Sequence, residues 1–160
     1  MNDSEVQVAE AVAREAHHGQ VRWGGLDYFE SHCRPVATRA RSLYGPREES
    51  LALLHDVFED SRLSPDLVVH RGVSTDTVRS ALLLRHQPNE SYRDYILRVA
   101  SSGNVAAIRV KLLDLEDNVK TPLPPHVSSD RIEVHRHRVA KYELAMVVLS
   151  EALARLSGHG

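Results

Sequence analysis

"LLHDVFED", residues 53–60, sets His55, Asp56, Glu59 and Asp60 among Leu53, Leu54, Val57 and Phe58. The apolar residues read as the middle of a helix running through "REESLALLHDVFED", with acids in its first turn where the helix dipole favours them. Buried carboxylates are costly unless something pairs with them. Either this helix turns a broad acidic face to water, or a positive group sits against it. On a helix, Glu59 lies one turn beyond His55 and Asp56, and Asp60 one turn beyond Asp56. That spacing stacks three carboxylates and an imidazole on adjoining surface, which suits a divalent cation taking nitrogen and oxygen ligands. A solvated acidic helix end explains the same stretch, because "SRLSPD" follows it.

The rest of the chain is patterned for helices. Ser4 can cap a first helix with Val8, Val12 and Ala16 on one stripe, ending near Gly19. "GQVRWGGLDYF" is a glycine-rich loop, and "RPVATRARSLY" a helix stopped by Gly45-Pro46. Ser64-Pro65 opens a short helix that Gly72 ends. Ser74 starts "TDTVRSALLLRH", closed by Pro88, and Asn89 caps "ESYRDYILRVASS". Asn104 caps "VAAIRVKLLDLEDNVK". After the proline-rich loop "TPLPPHVSS", a long amphipathic helix covers about 129–156. No segment alternates with a period of two for long, so the fold class is all-α and the 160 residues form one domain.

Composition narrows the function. A formal net charge of -2 offers no basic field for nucleic acid. A single cysteine, Cys33, excludes an internal disulfide framework and a cysteine-rich zinc site. Apolar runs such as "AMVVL" are too short to span a bilayer, and the acidic N-terminus is unlike a targeting peptide. A cytoplasmic protein without a membrane partner is the expectation; oligomeric state is not readable.

Two further stretches bear on the acidic helix. "YFESHCRPVA" brings His32 to a helix start, and "VAAIRVKLLDLEDN" buries Asp114 between Leu112, Leu113 and Leu115. A lone aspartate there needs a ligand or hydrogen bonds. His32, His55, Asp56 and Asp114 make a set of two imidazoles and two carboxylates from three helices. It would leave places on a divalent ion for water and phosphate oxygens.

The ordered segments "AHHGQVR", "SHCRPVA", "LALLHDVFEDS", "YRDYI" and "VKLLDLEDN" resemble the HD-domain phosphohydrolases. The resemblance is greatest to the hydrolase domain of RelA/SpoT alarmone enzymes and their small stand-alone relatives, and spans about residues 6–150. It implies a single-domain HD helical bundle, with no room for the synthetase domain of larger members. It places His32, His55, Asp56 and Asp114 on the metal ligands, usually for manganese. Glu59 and Asp60 fall on the acidic pair that activates water, and Arg22, Asn118 and Tyr142 on nucleotide contacts. The implied substrate is a phosphorylated nucleotide, ppGpp or pppGpp, losing its 3′-pyrophosphate. Cys33 stands where the family has proline, Trp23 where it has a second cation, and Asp117 where it has histidine or tyrosine. An acid at 117 and no cation at 23 are expected to weaken attraction for a polyphosphate. A phosphohydrolase of another nucleotide and a nucleotide-binding regulatory module are the alternatives.

Other candidates have plain explanations. His17 and His18 suit a helix C-terminus, with support of a metal ligand as the other reading for His17. His135 and His137 diverge around a helix and belong to the surface, like the basic stretch "RHRVAK". Cys33 is a poor nucleophile beside His32. Lys111 either approaches a phosphate or snorkels from the core edge.

Overall fold

The computed structural model describes residues 3–158; Met1, Asn2, His159 and Gly160 of the expected domain lie outside them. Three helix starts follow the polar residues read as caps, whereas Ser4 lies inside the first helix, which already includes Asp3. Ser64 Oγ accepts from the Leu67 amide at 3.2 Å and opens α5 (Pro65–His70), with α1 (Asp3–Ala16), α2 (Arg34–Tyr44), α3 (Pro46–Leu54) and α4 (Val57–Asp60) before it. Ser74 Oγ accepts from Thr77 at 3.3 Å at the head of α6 (Thr75–Leu83). Asn104 Oδ1 accepts from Ala107 at 3.0 Å to start α8 (Val105–Lys120). Each such cap is worth about 1 kcal/mol. The cap of α7 (Tyr92–Ser101) is Ser91 rather than Asn89. Residues 87–90 form a turn instead: Glu90 accepts from the Gln87 amide at 3.2 Å and is held by Arg98 at 2.7 Å. α6 likewise stops at Leu83, short of Pro88, and α9 covers Ser129–Ser157.

The core is organised around α3, where Ser50, Leu51, Ala52, Leu53 and Leu54 are all buried. α1 covers it with Ala9, Val12 and Ala13, so the buried stripe is turned slightly from Val8 and Ala16, which are half-buried. α2 contributes Val36, Ala37 and Ala40, and α8 contributes Ile108, Val110 and Leu115. α9 lies across α7 and α8 through Ala145, Leu149 and Ala152. His55 thus sits at the end of the most buried helix, and Asp114 on a helix that packs directly against it.

Two irregularities shape the site. The expected continuous helix through residues 47–60 is broken at His55 and Asp56. Asp56 has φ −109° and ψ −2°, between the helical and extended regions, where active-site residues are often found. The chain before α2 is a π-helical turn, Phe29–Cys33, that carries His32. It follows a tight loop in which Gly24 and Gly25, at φ 90° and 77°, let Val21 pair with Asp27 in an isolated bridge. Among the described residues there is no strand beyond that bridge, and no helix is long and apolar enough to cross a membrane.

The packing makes a direct prediction. Leu54→Ala, at a fully buried position beside His55, should cost about 2–5 kcal/mol in urea denaturation. Leu144→Ala, on the outer face of α9, should stay within about 0.5 kcal/mol of the parent. Equal losses at both positions would contradict this placement of the core.

Candidate metal centre

The break after Leu54 does what a regular helix cannot. Neighbouring residues on a helix diverge, but here the His55 and Asp56 side chains meet, with Nε2 3.0 Å from Oδ2. From the π-helical turn, His32 brings its Nε2 to 3.2 Å from His55 Nε2. From α8, Asp114 Oδ1 lies 3.1 Å from His32 Nε2 and 3.5 Å from His55 Nε2. The donor atoms of His32, His55, Asp56 and Asp114 all lie within 4.8 Å of one another.

The opposite ring nitrogens are engaged as well. His55 Nδ1–H donates to the Ala52 carbonyl at 2.6 Å, and His32 Nδ1–H donates to Asp117 Oδ2 at 2.6 Å. With each Nδ1 engaged by an acceptor, the two Nε2 atoms are the ones left to face each other and two carboxylates. Four lone-pair donors facing one point repel unless a positive charge sits between them. Mixed imidazole and carboxylate ligands, buried and tied from behind, fit a divalent ion of the manganese, iron or zinc type. The electrostatics agree. Burial disfavours the charged imidazolium, but Asp114 and Asp117 hold His32 above its ordinary pKa, and Asp56 and Asp114 hold His55 well above.

Each carboxylate is itself braced. Burial opposes ionisation of Asp114, yet Lys111, 2.7 Å away, and the two histidines hold it well below the usual range. Asn118 Nδ2 donates to the other Asp114 oxygen at 2.8 Å. Tyr28 Oη donates to Asp56, and burial together with the nearby carboxylate keeps that phenol protonated. Lys111 thus neither snorkels nor stands free: it is the fixed counter-charge of Asp114.

The pair Glu59 and Asp60 lines the same cleft, of about 360 Å³, beside Asp56 and Asp114. Glu59 accepts from the His86 amide at 3.2 Å. Partial burial of its carboxyl and the nearby Asp56 and Asp60 raise its pKa, against the His86 hydrogen bond. Asp60 accepts from Gln20 Nε2 at 3.1 Å. His17 is buried, hydrogen-bonded to Gln20 at 2.8 Å and 4.9 Å from the Tyr28 ring, so it braces Gln20 and Tyr28 rather than only ending a helix.

A second, narrower lobe of about 140 Å³ adjoins the cleft through Tyr28, Asn118 and Tyr142, and also holds Arg22, Trp23 and Arg138. Arg22 spends its donors internally, on the Ser31 carbonyl, Asp117, Asn118 and Thr121 at 2.8–3.3 Å. The basic stretch on α9 is not all surface: Arg138 and half-buried His135 enter this lobe, and Lys141 enters the larger one. Arg131 and Arg138 lie 5.4 and 6.0 Å from the Trp23 ring, so cations from α9 occupy the neighbourhood that Trp23 leaves without one. The Asp117 carboxylate also departs from expectation: it is turned to His32 and Arg22, which offset its charge. Cys33 is fully buried, and burial pushes its thiol up to about 12, which removes it as a nucleophile. Tyr28, Asp117 and Lys141 were missed in the sequence because their reach depends on the π-helical turn and on how α9 crosses.

No family profile matches the chain, and no curated protein matches it in sequence. The structure is similar to that of a metazoan ortholog of SpoT that hydrolyses ppGpp, with a TM-score of 0.64 and 16% identity. The likeness covers 98% of this chain and 95% of that one. The chain accordingly shares the all-helical fold of that protein.

Two measurements check the centre. Metal analysis should find about one divalent ion per chain in the parent, almost none in Asp114→Ala, and an unchanged amount in His137→Ala, whose side chain is exposed and pairs with Glu133. Full occupancy in Asp114→Ala would remove it from the ligand set. Protons compete with the ion for His32 and His55, and the raised pKa values favour the protonated forms. Metal affinity should therefore begin to fall while pH is still above the ordinary histidine range, near 6.5, and fall further below it. Affinity independent of pH between about 8 and 6 would exclude imidazole ligands.

Proposed function

We propose that this protein is a metal-dependent phosphohydrolase of a phosphorylated nucleotide, and that its substrate is ppGpp or pppGpp, cut at the 3′-pyrophosphate. The observation that carries the reading is the convergence of His32, His55, Asp56 and Asp114, of which Asp56 and Asp114 line one cleft with the Glu59–Asp60 pair. The fold shared with a ppGpp hydrolase supports the choice of nucleotide. We propose manganese as the ion, since a site with as many carboxylates as imidazoles suits it. We also propose a cytoplasmic location, where such a nucleotide would be met.

When bound, the ion supplies Lewis-acid polarisation of a phosphoryl oxygen and lowers the pKa of water. The chain's own residues do the rest. Glu59 Oε1 or Oε2 takes the proton of the attacking water, helped by a pKa that partial burial raises above the ordinary carboxylate value, and Asp60 orients that water. The hydroxyl goes to phosphorus, the bond to the 3′ oxygen breaks, and the proton passes to that oxygen, so pyrophosphate and a nucleoside 3′-hydroxyl leave. Lys141 adds positive charge to the cleft, Lys111 balances Asp114 within it, and Tyr28 holds the Asp56 carboxylate. Asn118 and Tyr142 line both lobes, where a nucleoside bridging them would lie, with Arg22 at the outer edge. One observation favours a second reading, a hydrolase of a different nucleotide: Trp23 walls the outer lobe where the family has a cation.

The test pairs product analysis with one variant. With Mn²⁺ and ppGpp, the parent should release GDP and pyrophosphate; orthophosphate as sole product would favour the second reading. Glu59→Gln should keep its metal and fold while kcat falls about 10²–10⁴-fold. KM should change little, because the lost interaction belongs to the transition state. Parent-like turnover in metal-loaded Glu59→Gln would make Glu59 a solvated helix residue.

A further inference from the structure

His55 and His32 are oriented by different kinds of partner. His55 is tied by the Ala52 carbonyl one turn back on its own helix, so any residue at 52 serves. His32 has no such neighbour. Its Nδ1 is 2.6 Å from Asp117 Oδ2, a side chain 85 positions away on α8. The same Oδ2 accepts from Arg22 Nη1 at 3.2 Å. Arg22 is locked in turn: Nη1 also donates to the Ser31 carbonyl at 2.9 Å, and Nη2 to Thr121 Oγ1 at 2.8 Å and Asn118 Oδ1 at 3.3 Å. Thr121 Oγ1 donates to the Asp117 carbonyl at 2.8 Å, closing the loop of bonds. The guanidinium therefore fixes the Asp117 carboxylate against the turn that carries His32.

We infer that Asp117, clamped by Arg22, is the positioning residue that holds His32 with Nδ1 protonated and Nε2 aimed at the metal. The inference deepens the metal-hydrolase reading and rests on it. Asp117 touches neither the ion nor the reacting atoms; it acts through the imidazole. Its role differs from that of a stray acid repelling a polyanion, because its charge is shared with Arg22 and directed into His32. The His55 arrangement shows that a neutral oxygen is an adequate acceptor for this purpose. An amide at 117 should therefore keep the function while losing the charge.

That contrast gives the test, made on the full chain with Mn²⁺ alone and no nucleotide. Asp117→Ala should weaken Mn²⁺ binding about 10–100-fold, the usual loss when an imidazole ligand's supporting partner is removed. Asp117→Asn should stay within about fivefold of the parent, because Oδ1 of the amide can accept the Nδ1 proton. Parent-like binding by Asp117→Ala overturns the proposal. So does an equal loss in Asp117→Ala and Asp117→Asn, which would make the effect one of charge alone. If the alanine variant does not fold, long-range ¹H–¹⁵N spectra of the Zn²⁺-loaded parent decide. His32 with Nδ1 protonated and Nε2 bound is expected, and the reverse arrangement overturns the assignment. A parent chain that takes up no Mn²⁺ would overturn the metal-hydrolase reading and this inference together. Parent binding with an unaffected alanine variant would sink this inference alone.

Discussion

Two imidazole nitrogens 3.2 Å apart, each with its proton held on the far side of the ring, define the centre of this molecule. Lone pairs so close to one another, with carboxylate oxygens of Asp114 and Asp56 3.0–3.5 Å away, need a positive charge among them. A proton or a divalent ion meets that need; an apolar core does not. Much of the surrounding structure follows from it. Lys111 balances Asp114, Tyr28 holds Asp56, and Arg22 locks Asp117 behind His32. Buried charge of this density is destabilising unless every member is satisfied. Here Asp114 is satisfied from its own helix by Lys111 and Asn118 and His55 by the Ala52 carbonyl, while His32 and Asp56 are satisfied across elements by Asp117 and Tyr28.

The backbone departs from regularity where this centre demands it. A continuous helix would have pointed His55 and Asp56 in different directions, so α3 ends and α4 begins anew with the two residues between them. A π-helical turn sets His32 at the head of α2. The long regular helices carry what needs no special direction. α8 presents Asp114, Asp117 and Asn118 along one side, and α9 lays Arg138, Lys141 and Tyr142 over the cleft. The result is a cleft lined by the carboxylates of Asp56, Glu59, Asp60 and Asp114 and by the ammonium groups of Lys111 and Lys141.

How much of this was legible in the sequence depended on the range of the interaction. Capping by Ser64, Ser74 and Asn104 is decided within three residues and was readable. So was the tension of Asp114 among leucines, since a buried acid demands a partner wherever the chain goes. The four residues read as metal ligands do converge, but a continuous helix through His55 and Asp56 is not the geometry that joins them. Asn89 reads locally as the cap of α7, but Ser91 opens it, and the Glu90–Arg98 pair holds the turn before it. The Asp117–His32 bond spans 85 positions, and no local pattern signals it. Read locally, Asp117 was only an acid near a polyanion site, and Trp23 only a missing cation. Arg131 and Arg138, which approach its ring from α9, are invisible until the helices pack.

The central claim is that the four side chains hold one divalent ion in common. Crystals grown with Mn²⁺ and measured at the manganese absorption edge test it most directly. The account predicts a single strong anomalous peak within bonding distance of His32 Nε2, His55 Nε2, Asp56 and Asp114, and none at His135 or His137. A peak held instead by Glu59 and Asp60, or no ordered manganese between the two imidazoles, would contradict it.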